Sequence, residues 1–176
     1  MEKKKLDIVG LANSDGCFDL QFRKDTRHER TGSPTYYRWK IQFVITSPKE
    51  NLKVLEKVAK EFKCGSVSVA ANQARFCVQK IDDIVEVVIP YFTRHSLGDG
   101  GLSKNKFIDS KKQEFGLWQK AAAIVYQNKG IYLSKWKKND LMHLMEIHKT
   151  MAKYKQKPRQ GKWIELARTI SKKEAA

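Results

Sequence analysis

A carboxylate, Asp15, ends a nine-residue stretch in which the chain must change conformation. Residues 8 to 16 read Ile8-Val9-Gly10-Leu11-Ala12-Asn13-Ser14-Asp15-Gly16, a short apolar run with a small residue in its middle, stopped by Asn-Ser-Asp-Gly. Upstream, Lys3 to Asp7 form a charged lead-in of good helix formers. The pattern predicts a helix that ends near Asn13, with Asp15 just beyond its last turn and Gly16 releasing the chain. From Cys17 to Lys24 the residues alternate as a strand does. A carboxylate held between a helix end and a strand suits a hard divalent cation, because the backbone on both sides is fixed. Such a cation supplies what phosphodiester hydrolysis needs: an activated water, charge stabilisation on the phosphate and a route for the leaving oxygen. The alternative for Asp15 is a helix-terminal turn residue with no metal.

The second set of chemistry-bearing residues lies on alternating strands. Phe18, Leu20 and Phe22 share one face of the first strand; Asp19, Gln21 and Arg23 share the other. After a polar loop from Asp25 to Pro34, Tyr36 to Thr46 alternates again. Tyr37, Trp39, Ile41, Phe43 and Ile45 fall on one side, and Tyr36, Arg38, Lys40, Gln42, Val44 and Thr46 on the other. A second hairpin follows at Ser66 to Ala70 and Ala74 to Lys80. There Val67, Val69, Phe76 and Val78 are expected inward, and Ser66, Ser68, Arg75, Cys77 and Gln79 outward. The outward set Gln21, Arg23, Tyr36, Arg38, Lys40, Gln42, Ser66, Ser68, Arg75 and Gln79 is polar and basic, of types that read base edges and neutralise phosphates. An ordinary solvated sheet face is the alternative.

Composition favours the first reading. The 176 residues carry 35 Lys plus Arg against 19 Asp plus Glu, a net charge of +16. That excess points to a polyanion, with nucleic acid ahead of a membrane surface because no helix pairs a strongly basic face with an exposed aromatic one. With 41% hydrophobic residues the chain can bury a core. No apolar run approaches the roughly 20 residues of a membrane span, and no signal-peptide stretch follows the N-terminus, so a soluble, non-secreted protein is expected. Cys17, Cys64 and Cys77 form no zinc or CxxC pattern and are expected as reduced packing thiols. His28, His95, His143 and His148 are scattered and read as surface or capping residues. Gly98-Asp99-Gly100-Gly101 lacks the Gly-Lys-Ser/Thr ending of a P-loop and reads as a flexible connector.

The elements that must position these residues follow from capping and periodicity. Ser47 as N-cap, Pro48 at the first helical position and Glu50 as its capping-box partner predict a helix, with Leu52, Leu55, Val58, Ala59 and Phe62 as its apolar stripe. Asp82 opens a third helix through Ile84, Val85, Val88, Ile89 and Phe92. Further helices are expected from Ser110 to about Tyr126, from Ser134 to Lys153 and from Trp163 to about Ser171, with a basic hinge from Lys153 to Arg159 that touches phosphates or serves as a solvated linker. The order helix, two strands, helix, two strands, helix predicts an α+β fold, an antiparallel sheet with helices on one face and the other face open. A core over 1–129 and a C-terminal helical extension over 130–176 are expected.

Ile8 to Gly16 resembles the nine-residue signature of the LAGLIDADG homing endonucleases, matching it at Gly10, Leu11, Asp15 and Gly16, and the element order is that family's αββαββα core. The resemblance implies a homodimer whose motif helices pack together through Ile8, Gly10, Leu11 and Asn13, bringing two Asp15 carboxylates to one axis. It implies Mg2+, or another divalent cation, held by Asp15 and the Ser14 carbonyl. The two sheets then form a saddle in the DNA major groove, and the enzyme makes double-strand breaks at a long, roughly palindromic site. Ile108 and Lys111 match the family's apolar-x-x-Lys segment, which assigns Lys111 beside the metal; Lys104, Lys106 and Lys112 compete for that place. Ser47 and Asn51 stand where some members carry a catalytic glutamine and an arginine, and Ser47 is equally an N-cap. Asn13 replaces a commonly acidic position. The alternatives are a maturase for intron RNA, a non-cleaving nucleic-acid-binding relative, or a basic ribosomal or chromatin-like protein. A mitochondrion, a chloroplast or the bacterial cytoplasm all suit the resemblance.

Overall fold

The first helix begins where a side chain caps it. In the computed structural model, which describes residues 6–26, 35–96, 106–155, 161 and 164–173, the Asp7 carboxylate accepts from the Gly10 backbone N–H at 2.9 Å. That bond satisfies one of the orphan donors of a helix start. Helix α1 therefore spans Ile8–Asp15 rather than growing out of the Lys3–Asp7 lead-in, of which residues 1–5 lie outside the described residues. It also runs two residues past Asn13, so Asp15 is its last residue. Ile8, Val9 and Ala12 are its buried face. Gly16 differs from expectation as well. Its φ of −87° and ψ of 147° are extended, so no left-handed turn requires a glycine. Space requires it: a Cβ here would stand 2.5 Å from the Ala12 Cα and 2.6 Å from the Ala12 carbonyl oxygen.

Strands β1 (Gly16–Thr26), β2 (Thr35–Pro48), β3 (Ser66–Ala70) and β4 (Gln73–Val78) form one antiparallel sheet in the order β1-β2-β4-β3. Phe18 pairs with Phe43, and Phe43 with Val78, so the inward rows of three strands coincide. Phe18 is the centre of the core. Its ring lies 5.0 Å from Phe43, 5.5 Å from Phe92, 5.1 Å from Phe115 and 5.0 Å from Trp118. Burying each such side chain contributes about 1.5–3 kcal/mol, and each aromatic pair about 0.5–1.5 kcal/mol more. Val69, expected inward, is 43% exposed, on the edge strand β3.

Helix α2 (Leu52–Phe62) buries Leu55, Val58 and Phe62, but the expected capping box does not form. Ser47 and Pro48 stay in β2, paired with Ala74 and Gln73, and a 3-10 turn Lys49–Asn51 makes the entry. The sheet ladder takes these residues because strand pairing satisfies two backbone groups where one side-chain cap would satisfy one. Gly65 has φ +83° and packs against the Phe76 ring, so this glycine does carry a left-handed backbone. Helix α3 starts at Ile81, one residue before the expected Asp82. It comprises the turn Ile81–Asp83, a π-turn Ile84–Val88 and the α-helical stretch Ile89–Ser96. Pro90 explains the π-turn: it offers no N–H to Glu86, and the wider turn removes the clash between its ring and that carbonyl. Ile84, Val88 and Phe92 are buried, while Val85 and Ile89 are half-buried.

Helix α4 (Asp109–Gln127) buries Phe115, Trp118, Ala121 and Ala122. Helix α5 (Lys138–Met151), entered by a 3-10 turn Leu133–Lys135, packs on α4, and helix α6 (Ile164–Lys173) packs on α5. Trp136, Leu141, Leu144 and Met151 join the same core cluster as Phe18. The expected αββαββα order with trailing helices is the order observed. His148 is not a surface residue: it is half-buried with its ring 6.1 Å from Trp39. Burial, and then the Lys155 ammonium, lower its pKa below 6.5.

Gly16→Ala forces α1 away from β1 and lowers stability by about 1–3 kcal/mol. Gly116→Ala, where an added Cβ meets nothing within 4 Å, raises stability by about 0.5–1 kcal/mol; thermal melts of the two variants read both. Since the folded state disfavours protonated His148, the stability it permits is full above its unfolded pKa of about 6.5 and falls as pH drops below that value, until its lowered folded pKa is passed. Melting temperature followed from pH 8 to 5 shows this decline, and His148→Gln shows less of it.

Candidate active site and nucleic-acid interface

The end of α1 presents open oxygen donors. Asp15 is exposed, and among the described residues its carboxylate has no hydrogen bond or ion pair. The Ser14 hydroxyl folds back to the Gly10 and Leu11 carbonyls at 3.3 and 3.4 Å. A continuing helix would give the Phe18 N–H to the Ser14 carbonyl; instead Phe18 donates to Glu114 Oε1 at 3.2 Å. The Ser14 carbonyl is thus left without its helical partner. A carboxylate and a carbonyl in adjacent residues are hard oxygen ligands of the kind a divalent cation takes, and two of the roughly six it needs. Among the described residues no group of three or more His, Cys, Asp and Glu could hold a metal.

Helix α4 brings a cation to the same point. Lys111 Nζ donates to the Gly16 carbonyl at 2.7 Å and to Glu114 Oε2 at 3.0 Å, and lies 5.9 Å from the Phe18 ring centre. Trp118 Nε1 donates to the Asp19 carbonyl at 3.1 Å. Lys111, Glu114 and Trp118 stand at i, i+3 and i+7, one face of the helix laid along β1. Glu114, 2% exposed, was not singled out from the sequence; its spacing from Lys111 was the available signal. Of the competing lysines, Lys112 is exposed, Lys106 is exposed and turns its carbonyl to Asn13, and Lys104 lies outside the described residues.

The Asn13 amide is engaged within its own chain. Its Nδ2 donates to the Lys106 carbonyl at 2.9 Å, and its Oδ1 accepts from the Ile108 N–H at 3.2 Å. It ties the segment entering α4 to the end of α1. Ile8, also expected at a dimer seam, is buried in the chain's own core. Helix α1 spends that side on its own sheet because a buried apolar face stabilises the monomer first. Gly10 and Leu11 remain half-buried, beside exposed Ser14 and Asp15. Ser47 is buried, and its hydroxyl accepts from Asn51 Nδ2 at 2.8 Å, so it is not an N-cap.

On the outer sheet face, the pairs Arg23–Arg38, Gln21–Lys40 and Asp19–Gln42 cross β1 and β2, and Arg75 pairs with both Thr46 and Ser68. Arg23, Tyr36, Arg38, Ser66, Ser68 and Gln79 are exposed; Gln21, Lys40 and Arg75 are half-buried. Gln42 differs from expectation. It is 5% exposed, donating to Asp19 Oδ2 at 2.8 Å and accepting from Cys77 Sγ at 3.6 Å, so it braces the face rather than lining it. Arg38 is ion-paired with Asp25. Burial, and then Arg23, lower the pKa of Lys40, with Arg38 and Arg75 adding to it. Four mutually repelling cations on one face favour a polyanion. Nor is the face wholly open: Lys155 Nζ contacts Asp19 Oδ1 at 3.3 Å and Cys17 Sγ at 3.6 Å. Burial works against that ammonium, but Cys17, Asp19 and Glu114 outweigh it and raise the Lys155 pKa.

Comparison with known proteins bears on these features. A family model described as LAGLIDADG endonuclease matches residues 8–122. A probable intron-encoded DNA endonuclease 1 of Mycosarcoma maydis is 30% identical over 106 residues, 60% of this chain and 32% of that protein. The chain thus spans about a third of that relative's length. The archaeal intron-encoded homing endonuclease I-Vdi141I, solved in complex with DNA, superposes with a TM-score of 0.66 at 18% identity, covering 94% of this chain and 92% of its own. The homing endonuclease I-CvuI, solved with a DNA target in 2 mM Mg, gives 0.62 at 15% identity, covering 96% and 92%. At these identities the two structures show the shared fold.

Asn13→Asp tests the clasp. A carboxylate still accepts from Ile108 N–H but meets the Lys106 carbonyl with no donor, so its pKa is raised above the ordinary 3.9 or so. The variant loses about 0.5–1.5 kcal/mol near neutral pH. The deficit narrows as pH falls through that raised pKa, because the protonated acid donates again; melting temperatures of variant and parent across pH read the difference.

Proposed function

The chain belongs to the LAGLIDADG endonuclease family, and from that premise we propose that it is a homodimeric, site-specific DNA endonuclease, dependent on a divalent metal, that makes double-strand breaks at a long, roughly palindromic site. The observation that carries this reading is the unpaired Asp15 carboxylate one residue from the carbonyl that anchors Lys111, at the end of a basic sheet face. Asp15 and the Ser14 carbonyl would hold the metal, Mg2+ first among candidates. When bound, the metal supplies an activated water and neutralises charge on the phosphate. One chain offers too few ligands, which is why a second copy is part of the proposal. Its helix would meet this one through Gly10, Leu11 and the Ser14 side, where the small residues let backbones approach.

Lys111 has two of its three N–H groups committed, to Gly16 and Glu114, which leaves one for a non-bridging phosphate oxygen or a solvent molecule. Glu114 holds the ammonium in place. Arg23, Tyr36, Arg38, Lys40, Ser66, Ser68, Arg75 and Gln79 would contact DNA, the cations on phosphates and the others on base edges. Ser47 is too buried to touch DNA in this conformation and would act through Asn51. Carriage in an organellar or bacterial intron belongs to the same proposal. No described helix is long and apolar enough to cross a membrane.

Incubation with Mg2+ and a library of long duplexes tests the reading. The parent protein cuts both strands of a subset of sites, EDTA stops it, and Asp15→Asn leaves binding intact while cutting falls to background. Log affinity falls linearly with log salt. A parent protein that binds intron RNA and cuts no duplex overturns it.

A further inference from the structure

Lys155 follows the 3-10 turn Ala152–Tyr154, well past the sheet in sequence, yet its ammonium reaches Cys17 and Asp19 on the outer sheet face. The pair is sheltered, with the Lys155 side chain 18% and the Asp19 side chain 14% exposed. Asp19 divides its oxygens. Oδ1 takes Lys155; Oδ2 accepts from Gln42 Nε2 at 2.8 Å and from Gln21 Nε2. A carboxylate only accepts, so each glutamine must turn its NH2 toward it. Gln42 is then closed off, its Oε1 taken by Cys77. Gln21 is not: among the described residues its Oε1 has no partner, and it stands between Asp19 and exposed Arg23 on the outer row, opposite Lys40.

We propose that the C-terminal segment sets base preference: Lys155 holds Asp19, Asp19 holds the Gln21 amide nitrogen inward, and the outward Gln21 oxygen accepts from an exocyclic amino group in the major groove. This rests on the DNA reading above. The groups that fit are adenine N6 and cytosine N4; guanine O6 and thymine O4, themselves acceptors, are rejected. Lys155 has a second effect. It cancels the Asp19 carboxylate, which would otherwise repel phosphates. Gln21 is the specificity-determining residue, and Asp19 and Lys155 are positioning residues.

The full-length parent, Asp19→Asn, Lys155→Met and the double variant are each equilibrated with a randomised duplex library, and the bound pools are sequenced. The parent selects adenine or cytosine at one position of its site, or at two symmetric positions. Asp19→Asn uncovers the Lys155 ammonium and binds every sequence more tightly, but it loses that selection by roughly tenfold, because an amide neighbour allows Gln21 to turn either way. Lys155→Met weakens binding to every sequence by roughly tenfold through the uncovered Asp19, and the double variant, which lacks both charges, recovers the affinity of the parent. Identical base preferences in parent and Asp19→Asn overturn the proposal. A double variant as weak as Lys155→Met also overturns it, since Lys155 would then act directly on a phosphate. Should Lys155→Met melt below the assay temperature, the Asp19→Asn pool decides alone. A parent that selects no DNA at all removes the nuclease reading itself, an outcome distinct from both.

Discussion

The edge of β1 is the constraint on which the rest of the molecule depends. An edge strand exposes backbone donors and acceptors that must find partners. Here the partners are side chains of one helix face: Lys111 on the Gly16 carbonyl, Glu114 on the Phe18 N–H and Trp118 on the Asp19 carbonyl. Because Glu114 is buried, it also needs a cation, and Lys111 supplies one. Removing one member of such a pair costs about 3–5 kcal/mol, since the other charge stays buried alone. The same bonds place an ammonium beside Asp15.

Helix α1 is shared between two uses in the same way. Ile8, Val9 and Ala12 pack on the sheet, and Gly16 lets strand and helix touch at van der Waals distance. Asn13 is drawn sideways to 106–108. What the chain's own packing leaves half-buried or exposed besides Asn13 is narrow: Gly10, Leu11 and Ser14, with Asp15 at the tip. An eight-residue helix has only about two turns to divide, so each residue added to one contact is taken from another.

The outer sheet face shows how charge is managed before any ligand arrives. Burial, and with it the neighbouring Arg23, Arg38 and Arg75, lowers the pKa of Lys40. The two acids of the same face are both tied to cations, Asp25 to Arg38 and Asp19 to Lys155. The face therefore offers its positive potential without an opposing carboxylate, a condition for attracting a polyanion quickly and across many sequences.

Sequence by itself determined what depends on local spacing. Period-2 alternation placed Phe18, Phe43 and Phe76 inside and Arg23, Arg38 and Arg75 outside, and the nine residues ending in Gly16, with the order of elements, marked the family. Lys111 was legible because a short motif surrounds it. Tertiary structure decided what depends on pairs far apart in the chain. Glu114 became a buried anchor only because β1 needed a donor's partner there; Asn13 became a clasp because residues 106–108 arrive beside it. Ser47 joined a strand because β4 offered it a ladder, and Gln42 sank beneath the face because Asp19 and Cys77 closed on its amide. Lys155 came to the outer sheet face from 136 residues away. Alternation records which side of a strand a residue takes, whereas the hydrogen bonds that consume it belong to the neighbours that folding delivers.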